Sequence, residues 1–355
     1  MQPLFKPYMP DNITNGINEI LYSGKLTFGQ WGNELEKELQ TYLSAENLLV
    51  VNNYSSTLNV ALSALGINAG GEVIASPVCC LQSSQPLIAK GIKVVWADVD
   101  PHTGTLSPDS VREKITSRTK AIIHNQHLGY VGYIDEINSI AHSAGILTID
   151  DCTDGMGGVY KGRKIGNCGS DATVISFQAV RLPNAIEGGA ILLKNEEHFK
   201  KAKLARDLGI DRTFFRDDRG EISPQCDIST IGYAALMNEV NAYIALKQMP
   251  ELDLLLDKQR NIAKRWKEKI KEENLNCIPL FEIENTLPNY WVFGLLSDKK
   301  NEMIDYFRNN GSYASSIHLN NNNYSIFGKQ GELKGVNEFC NNFLAVPCGW
   351  WLTDI

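Results

Sequence analysis

The chain has little that would hold a metal, cross a membrane or grip a nucleic acid. Its six histidines form no His-Glu-x-x-His or similar pair, so neither a structural nor a catalytic zinc is expected. Its eight cysteines include no Cys-x-x-Cys; Cys79 and Cys80 are adjacent, and Cys152 and Cys168 stand far apart. That usage favours buried, reduced thiols in a cytosolic enzyme over disulfides. No apolar run is long enough to span a bilayer. The first residues, Met1 to Lys6, lack the apolar core of a secretion signal, so a cytoplasmic location is expected. A net charge of −7, with acids and bases interspersed, leaves no basic patch for nucleic acid. What is present is ordinary for a soluble globular protein: 355 residues, 43% hydrophobic and 21% charged. That length supplies a large core and predicts two domains of unequal size.

From about Asn47 to Leu193, short apolar runs alternate with helical patterns. Strands are predicted at 48–51, 72–75, 94–96, 121–123, 146–149, 173–175 and 190–193. Helices are predicted between them at 56–65, 81–90, 107–115 and 133–143, the third opened by Ser107 with Pro108 just inside. Such alternation indicates an α/β fold with a mostly parallel, buried sheet of seven strands. Residues 196–208 and 232–248 also read as helices, with a charged loop rich in Gly, Pro and Asp at 212–229 between them. After Pro250 comes a long amphipathic helix, 251–273, with Ile262, Trp266 and Ile270 spaced by four. It leads into a small C-terminal α+β domain that contains the asparagine loop 320–323. The expected division is a large domain, 1–249, and a small one, 250–355. No internal repeat is visible.

Two acids, Asp150 and Asp151, end a predicted buried strand, where open α/β sheets place ligands. Taken alone, the pair is accounted for slightly better by a solvated turn. Residues 51–59, Val-Asn-Asn-Tyr-Ser-Ser-Thr-Leu-Asn, run from a strand end into a helix start. Hydroxyls and free backbone N–H groups there suit a phosphate, and they also suit simple helix capping. Gly155-Met156-Gly157-Gly158 superficially fits a dinucleotide fingerprint. The residues after it, Val159 to Gly166, read as a hairpin and leave no helix N-terminus for a pyrophosphate.

The stretch Ser176-Phe177-Gln178-Ala179-Val180-Arg181-Leu182-Pro183-Asn184-Ala185-Ile186-Glu187-Gly188-Gly189 resembles the Schiff-base motif of the DegT/StrS family of sugar aminotransferases. Tyr160-Lys161-Gly162-Arg163-Lys164-Ile165-Gly166, Gly24-Lys25-Leu26-Thr27-Phe28-Gly29, Ala97-Asp98-Val99-Asp100-Pro101 and the Val346-to-Thr353 segment are similar to further family motifs, in family order. The resemblance implies an aspartate-aminotransferase-like large domain of fold type I, and pyridoxal 5′-phosphate (PLP) or its pyridoxamine form as cofactor. It implies transfer of an amino group from glutamate to a nucleotide-linked keto-deoxysugar, in the first instance dTDP-4-keto-6-deoxyglucose. The setting implied is O-antigen or other glycan aminosugar biosynthesis, in a homodimer with sites at the subunit interface.

Carried over residue by residue, the resemblance gives Asp151 the pyridine nitrogen of the cofactor. A carboxylate there keeps that nitrogen protonated and the ring electron-accepting. Ser55, Ser56, Ser176 and Gln178 would surround the phosphate. Tyr54-Ser55 replaces the family's Gly-Thr, and Leu81 replaces its ring-stacking aromatic. Asp154 stands where the family has Gln near the phenolic oxygen, and Ala234 stands in place of an Asn that reaches the partner's phosphate. Thr27, Phe28 and His318 match substrate-side positions, although His318 fits a structural role as well.

Arg181 occupies the position of the Schiff-base lysine. That lysine must be a neutral amine for part of the cycle, both to bond the cofactor and to move a proton. A guanidinium keeps its charge, with a pKa above about 12. Three readings follow: a substituted aminotransferase that is inactive or traps the external aldimine; a lysine-less, pyridoxamine-dependent sugar dehydratase; or a non-catalytic protein that binds PLP or a nucleotide sugar. The second fits arginine poorly, because histidine, not arginine, carries protons near neutral pH.

Overall fold

The computed structural model describes every residue except Asp354. Seven strands form the main sheet, in spatial order Leu48–Val51, Gly189–Leu193, Ala172–Ser176, Leu147–Asp151, Thr119–Asn125, Glu72–Ala75 and Lys93–Trp96. Gly189–Leu193 runs antiparallel to both of its neighbours, and the other pairings are parallel. Two antiparallel pairings in succession restore direction. Leu48–Val51 therefore points the same way as Ala172–Ser176 and Leu147–Asp151. One edge of the sheet thus receives Val51 and the loop after it, Asp151 and Ser176.

The central strands are buried runs of Val, Ile, Leu and Ala, as a sheet covered on both faces requires. Alternation sends neighbours to opposite faces: Leu49 and Val51 pack in one core, Leu48 and Val50 in another. The same rule separates the two predicted acids, since Asp150 and Asp151 are consecutive strand residues. In register with them on the adjacent strand are His124 and Asn125.

Two departures from the sequence expectation have local causes. The 232–248 helix begins only at Glu239, because Asn238 caps it by accepting the Asn241 N–H at 2.8 Å. The 81–90 helix is split into a turn of 3₁₀ helix, Leu81–Ser83, and a short α-helix, Gln85–Ala89, with Pro86 in its first turn. The N-terminal helices Ile13–Tyr22 and Gln30–Leu43 were not legible in the sequence pattern. The second is anchored by Glu239, whose carboxylate accepts N–H groups of Gly29, Trp31 and Gly32.

Helix Leu252–Glu272 buries Leu255, Leu256, Ile262, Trp266 and Ile270 along one stripe. It leads to a three-stranded antiparallel sheet of Ile278–Pro279, Phe293–Leu296 and Phe343–Val346. The predicted hairpin is present as Val159–Tyr160 and Arg163–Lys164, extended by Thr286–Leu287. No helix among the described residues is long and apolar enough to cross a membrane.

Candidate active site

Asp151 ends its strand with its carboxylate buried and fully engaged. Oδ2 accepts the hydroxyls of Tyr54 at 2.9 Å and Ser83 at 2.8 Å. Oδ1 accepts the Thr153 N–H at 3.1 Å and the Thr153 hydroxyl at 2.5 Å. Burial raises the Asp151 pKa, and the hydroxyls of Thr153, Ser83 and Tyr54 oppose that rise. Tyr54 is the first residue of helix Tyr54–Ala64, capped by Asn53, whose side chain accepts the Ser56 N–H at 2.8 Å. Its ring is 1% exposed. Burial and the Asp151 charge hold the Tyr54 phenol far above its ordinary pKa, so it is a neutral donor.

Asp150 faces the other side of the sheet, where Gln126 donates to it at 2.6 Å. Burial pushes Asp150 up to about 7. His124, joined to it through Gln126, is pulled down to about 4 by burial.

Arg181 is also buried, at 7% exposure. It forms an ion pair with Asp154, and its guanidinium lies 4.1 Å from the centre of the Trp291 ring. Trp291 is held over this position by its own Nε1, which donates to the Val180 carbonyl at 2.8 Å, and by Phe5 stacked at 4.3 Å. The Arg181 Nε finds no acceptor among the described residues. Asp154 is fixed from the other side, accepting the Leu128 N–H at 3.1 Å. His318, exposed beside them, feels both charges. Burial lowers its pKa, Asp154 pulls it up and Arg181 pushes it down.

The remaining predicted residues divide into those at this strand edge and those elsewhere. Ser55 and Ser56 are half-buried at the helix start, with the Ser56 hydroxyl donating to Asn52 at 2.8 Å. Ser176 and Gln178 join the same edge, where Gln178 also donates to Gln82 at 2.8 Å. Leu81 packs against the main core, and the loop around it is clamped by Asn321, which bonds Pro77, Ser84 and Cys79. Thr27 and Phe28 lie apart, in a groove of about 560 Å³ with Lys25, Trp31 and Glu239, and Arg206 sits over the Phe28 ring. The Ala234 carbonyl accepts from Asn52 at 3.0 Å. His318, His127 and Asn320 line a cavity of only about 20 Å³, room for a water and not for a sugar ring.

Sequence reasoning missed Ser83, Thr153 and Trp291 as neighbours of this cluster. Nothing in the spacing of Trp291, from a distant segment, announces its contact with Arg181. Tyr54 did carry a signal, since it puts a large polar side chain where the resembling motif has glycine.

A mostly parallel sheet with a carboxylate at one strand end and a hydroxyl-lined helix start beside it defines a fold type I PLP-enzyme architecture. Residues 7–354 match the model of the DegT/DnrJ/EryC1/StrS aminotransferase family, and the chain belongs to that family. It is therefore a member, by descent, of the PLP-dependent sugar aminotransferase class of enzymes. It resembles the sugar aminotransferase CalS13 from Micromonospora echinospora, with 25% identity and a TM-score of 0.93 over 100% of this chain and 96% of that one. The PMP form of the putative sugar aminotransferase Spr1654 from Streptococcus pneumoniae shares the fold at 21% identity and a TM-score of 0.90, over 100% and 96% of the two chains. The uncharacterized protein MJ1066 of Methanocaldococcus jannaschii is 29% identical over 289 residues, 81% of this chain and 74% of its own length.

PLP is the cofactor of this family, and the two ends of the site suit it unequally. The phosphate end fits: a capped helix N-terminus with Ser55 and Ser56, and Ser176 and Gln178 opposite. The ring end does not fit. A pyridine N–H needs an acceptor, and the four acceptor positions of Asp151 already hold four donors.

Proposed function

We propose that this chain is a sugar-nucleotide-recognising member of its family that no longer transfers an amino group. The observation that carries this reading is the Arg181–Asp154 pair. Arg181 stands at the expected lysine position, and Asp154 stands at the expected Gln position beside it. The two departures from the family pattern compensate each other's charge. That coupling favours a chain adapted as a whole over a single lysine substituted in an otherwise working enzyme. A dehydratase would need a proton carrier at position 181, and a guanidinium is not one.

The ligand class follows from the family: a nucleotide-linked keto-deoxysugar, with dTDP-4-keto-6-deoxyglucose first, in the setting of O-antigen or other glycan aminosugar synthesis. Glutamate, the donor expected from the family, has no amino group transferred. The chain is taken as two domains, 1–249 and 250–355, working in the cytoplasm as a homodimer. Exposed Leu208, Phe214, Ile222, Ile228 and Ile231 along one segment support such a contact.

The test is direct. Calorimetry with dTDP-glucose, a stable stand-in for the ketosugar, is expected to give saturable binding. Incubation with PLP, glutamate and the dTDP-ketosugar is expected to give no 2-oxoglutarate. Catalytic formation of 2-oxoglutarate would overturn the proposal, and so would the absence of any binding by the sugar nucleotide.

A further inference from the structure

The family and its cofactor leave one residue unexplained. Tyr54 is a bulky phenol at the start of the phosphate-side helix, and it does not face solvent. It runs inward to the one carboxylate that the family pattern assigns to the cofactor ring. We propose that Tyr54 is a built-in substitute for the cofactor ring: its hydroxyl occupies the hydrogen-bonding position on Asp151 that a pyridine N–H would take, so the ring and Tyr54 compete for one seat.

Three features of the site support this. The bond is of the right kind, because a phenol and a pyridinium are both single N–H or O–H donors carried on an aromatic ring. The seat is completed around Tyr54: Ser83 touches the Tyr54 oxygen at 3.0 Å and shares Asp151 Oδ2 with it, and Thr153 closes Oδ1 with two further donors. A carboxylate buried to 3% exposure would be costly without such donors, and here it has a full set from the protein. The far edge of the site is likewise closed by the chain itself. Asp154 is neutralised by Arg181, and Trp291 covers the pair. Asp151 and the Asp154–Arg181 pair, which stand at the positions the family pattern directs to the ring, are thus satisfied internally. The folded state needs no cofactor to balance them.

This goes beyond the loss of transfer chemistry. Arg181 removes the covalent attachment, whereas Tyr54 removes the ring's non-covalent seat. The idea holds whichever sugar the chain binds, and its test uses no sugar. Pyridoxine 5′-phosphate is the probe, because it lacks the aldehyde and cannot condense with surface lysines. Binding to the full wild-type chain and to Tyr54→Gly is measured by calorimetry, together with the shift in melting temperature on adding the probe. Freeing the Asp151 oxygen is expected to tighten binding by about 10- to 100-fold. The wild-type melting temperature is expected to stay unchanged at probe concentrations that raise that of Tyr54→Gly. Equal affinity in the two proteins would overturn the proposal. If Tyr54→Gly does not fold, the wild-type titration decides alone: low-micromolar uptake overturns the proposal, and failure to saturate there supports it. Binding of dTDP-glucose to the wild type, measured separately, bears only on the sugar reading.

Discussion

The phosphate end and the ring end of this site lie at one edge of one sheet, yet they have fared differently. At the phosphate end the useful groups are backbone N–H donors at a helix start and short hydroxyls, with Ser55 and Ser56 half-buried and Ser176 buried. At the ring end they are long side chains, Tyr54, Asp154 and Arg181, bonded to one another or to Asp151. Backbone donors are produced by any sequence that makes the strand and starts the helix, so the phosphate end tolerates Tyr-Ser for Gly-Thr. Side-chain chemistry has no such redundancy. One guanidinium for one amine changes what the site can do.

The largest effect is expected from restoring the ring end. The triple variant Tyr54→Gly, Asp154→Gln, Arg181→Lys should fix PLP at residue 181 on borohydride reduction, as read by mass spectrometry of the peptide. Arg181→Lys alone should fix at least ~10-fold less at limiting PLP, because the ring's seat stays filled. Equal labelling of the two proteins would erase the distinction between the two ends.

Next comes Asp154→Asn, which leaves a buried guanidinium without its counter-charge. A loss of about 3 kcal/mol in urea unfolding is expected. A loss below ~1 kcal/mol would mean that Trp291 and solvent already balance Arg181. Tyr54→Phe keeps the ring and deletes one donor to Asp151, so about 1–2 kcal/mol should be lost. Ser55→Ala, at the open end, should change stability by less than about 0.5 kcal/mol.

The opposite faces of one strand allow a comparison by pH. Asp150 is raised by burial from 3.8 to about 7, so the folded chain holds a proton that the unfolded chain releases. Its contribution is full below pH ~4 and is lost as pH rises through about 7. His124 and His127 act in the opposite sense. Both are lowered to about 4, so they cost stability as pH falls from 6.5 toward 4. The wild-type curve therefore mixes the two signs. Subtracting it from that of Asp150→Asn isolates the carboxyl, and the variant should gain relative stability steadily from pH 4 to 7. A flat difference would show that Asp150 is not held protonated.

Much of the architecture was open to a reading of the sequence, and the reasons are local. Runs such as Leu48–Val51 and Gly189–Leu193 are too apolar and too β-branched to sit anywhere but in a covered sheet. Ser107-Pro108 and the stripe of Ile262, Trp266 and Ile270 carry their own helix signals. Motif order along the chain pointed to the family, and Arg181 marked the broken lysine position. Tertiary structure alone decided what surrounds that arginine. Trp291 arrives from the bend just before strand Phe293–Leu296, more than a hundred residues away in the chain. Ser83 reaches Asp151 only because a proline-containing helix start breaks the 81–90 segment. Tyr54 was visible as a letter out of place, but its direction was not. A helix's first residue can point outward or into the core, and here the buried carboxylate left by the neighbouring strand draws the hydroxyl inward. Periodicity fixes which face a residue belongs to. Which partner it finds there depends on chain segments whose approach is set by packing, and no spacing in the sequence encodes it.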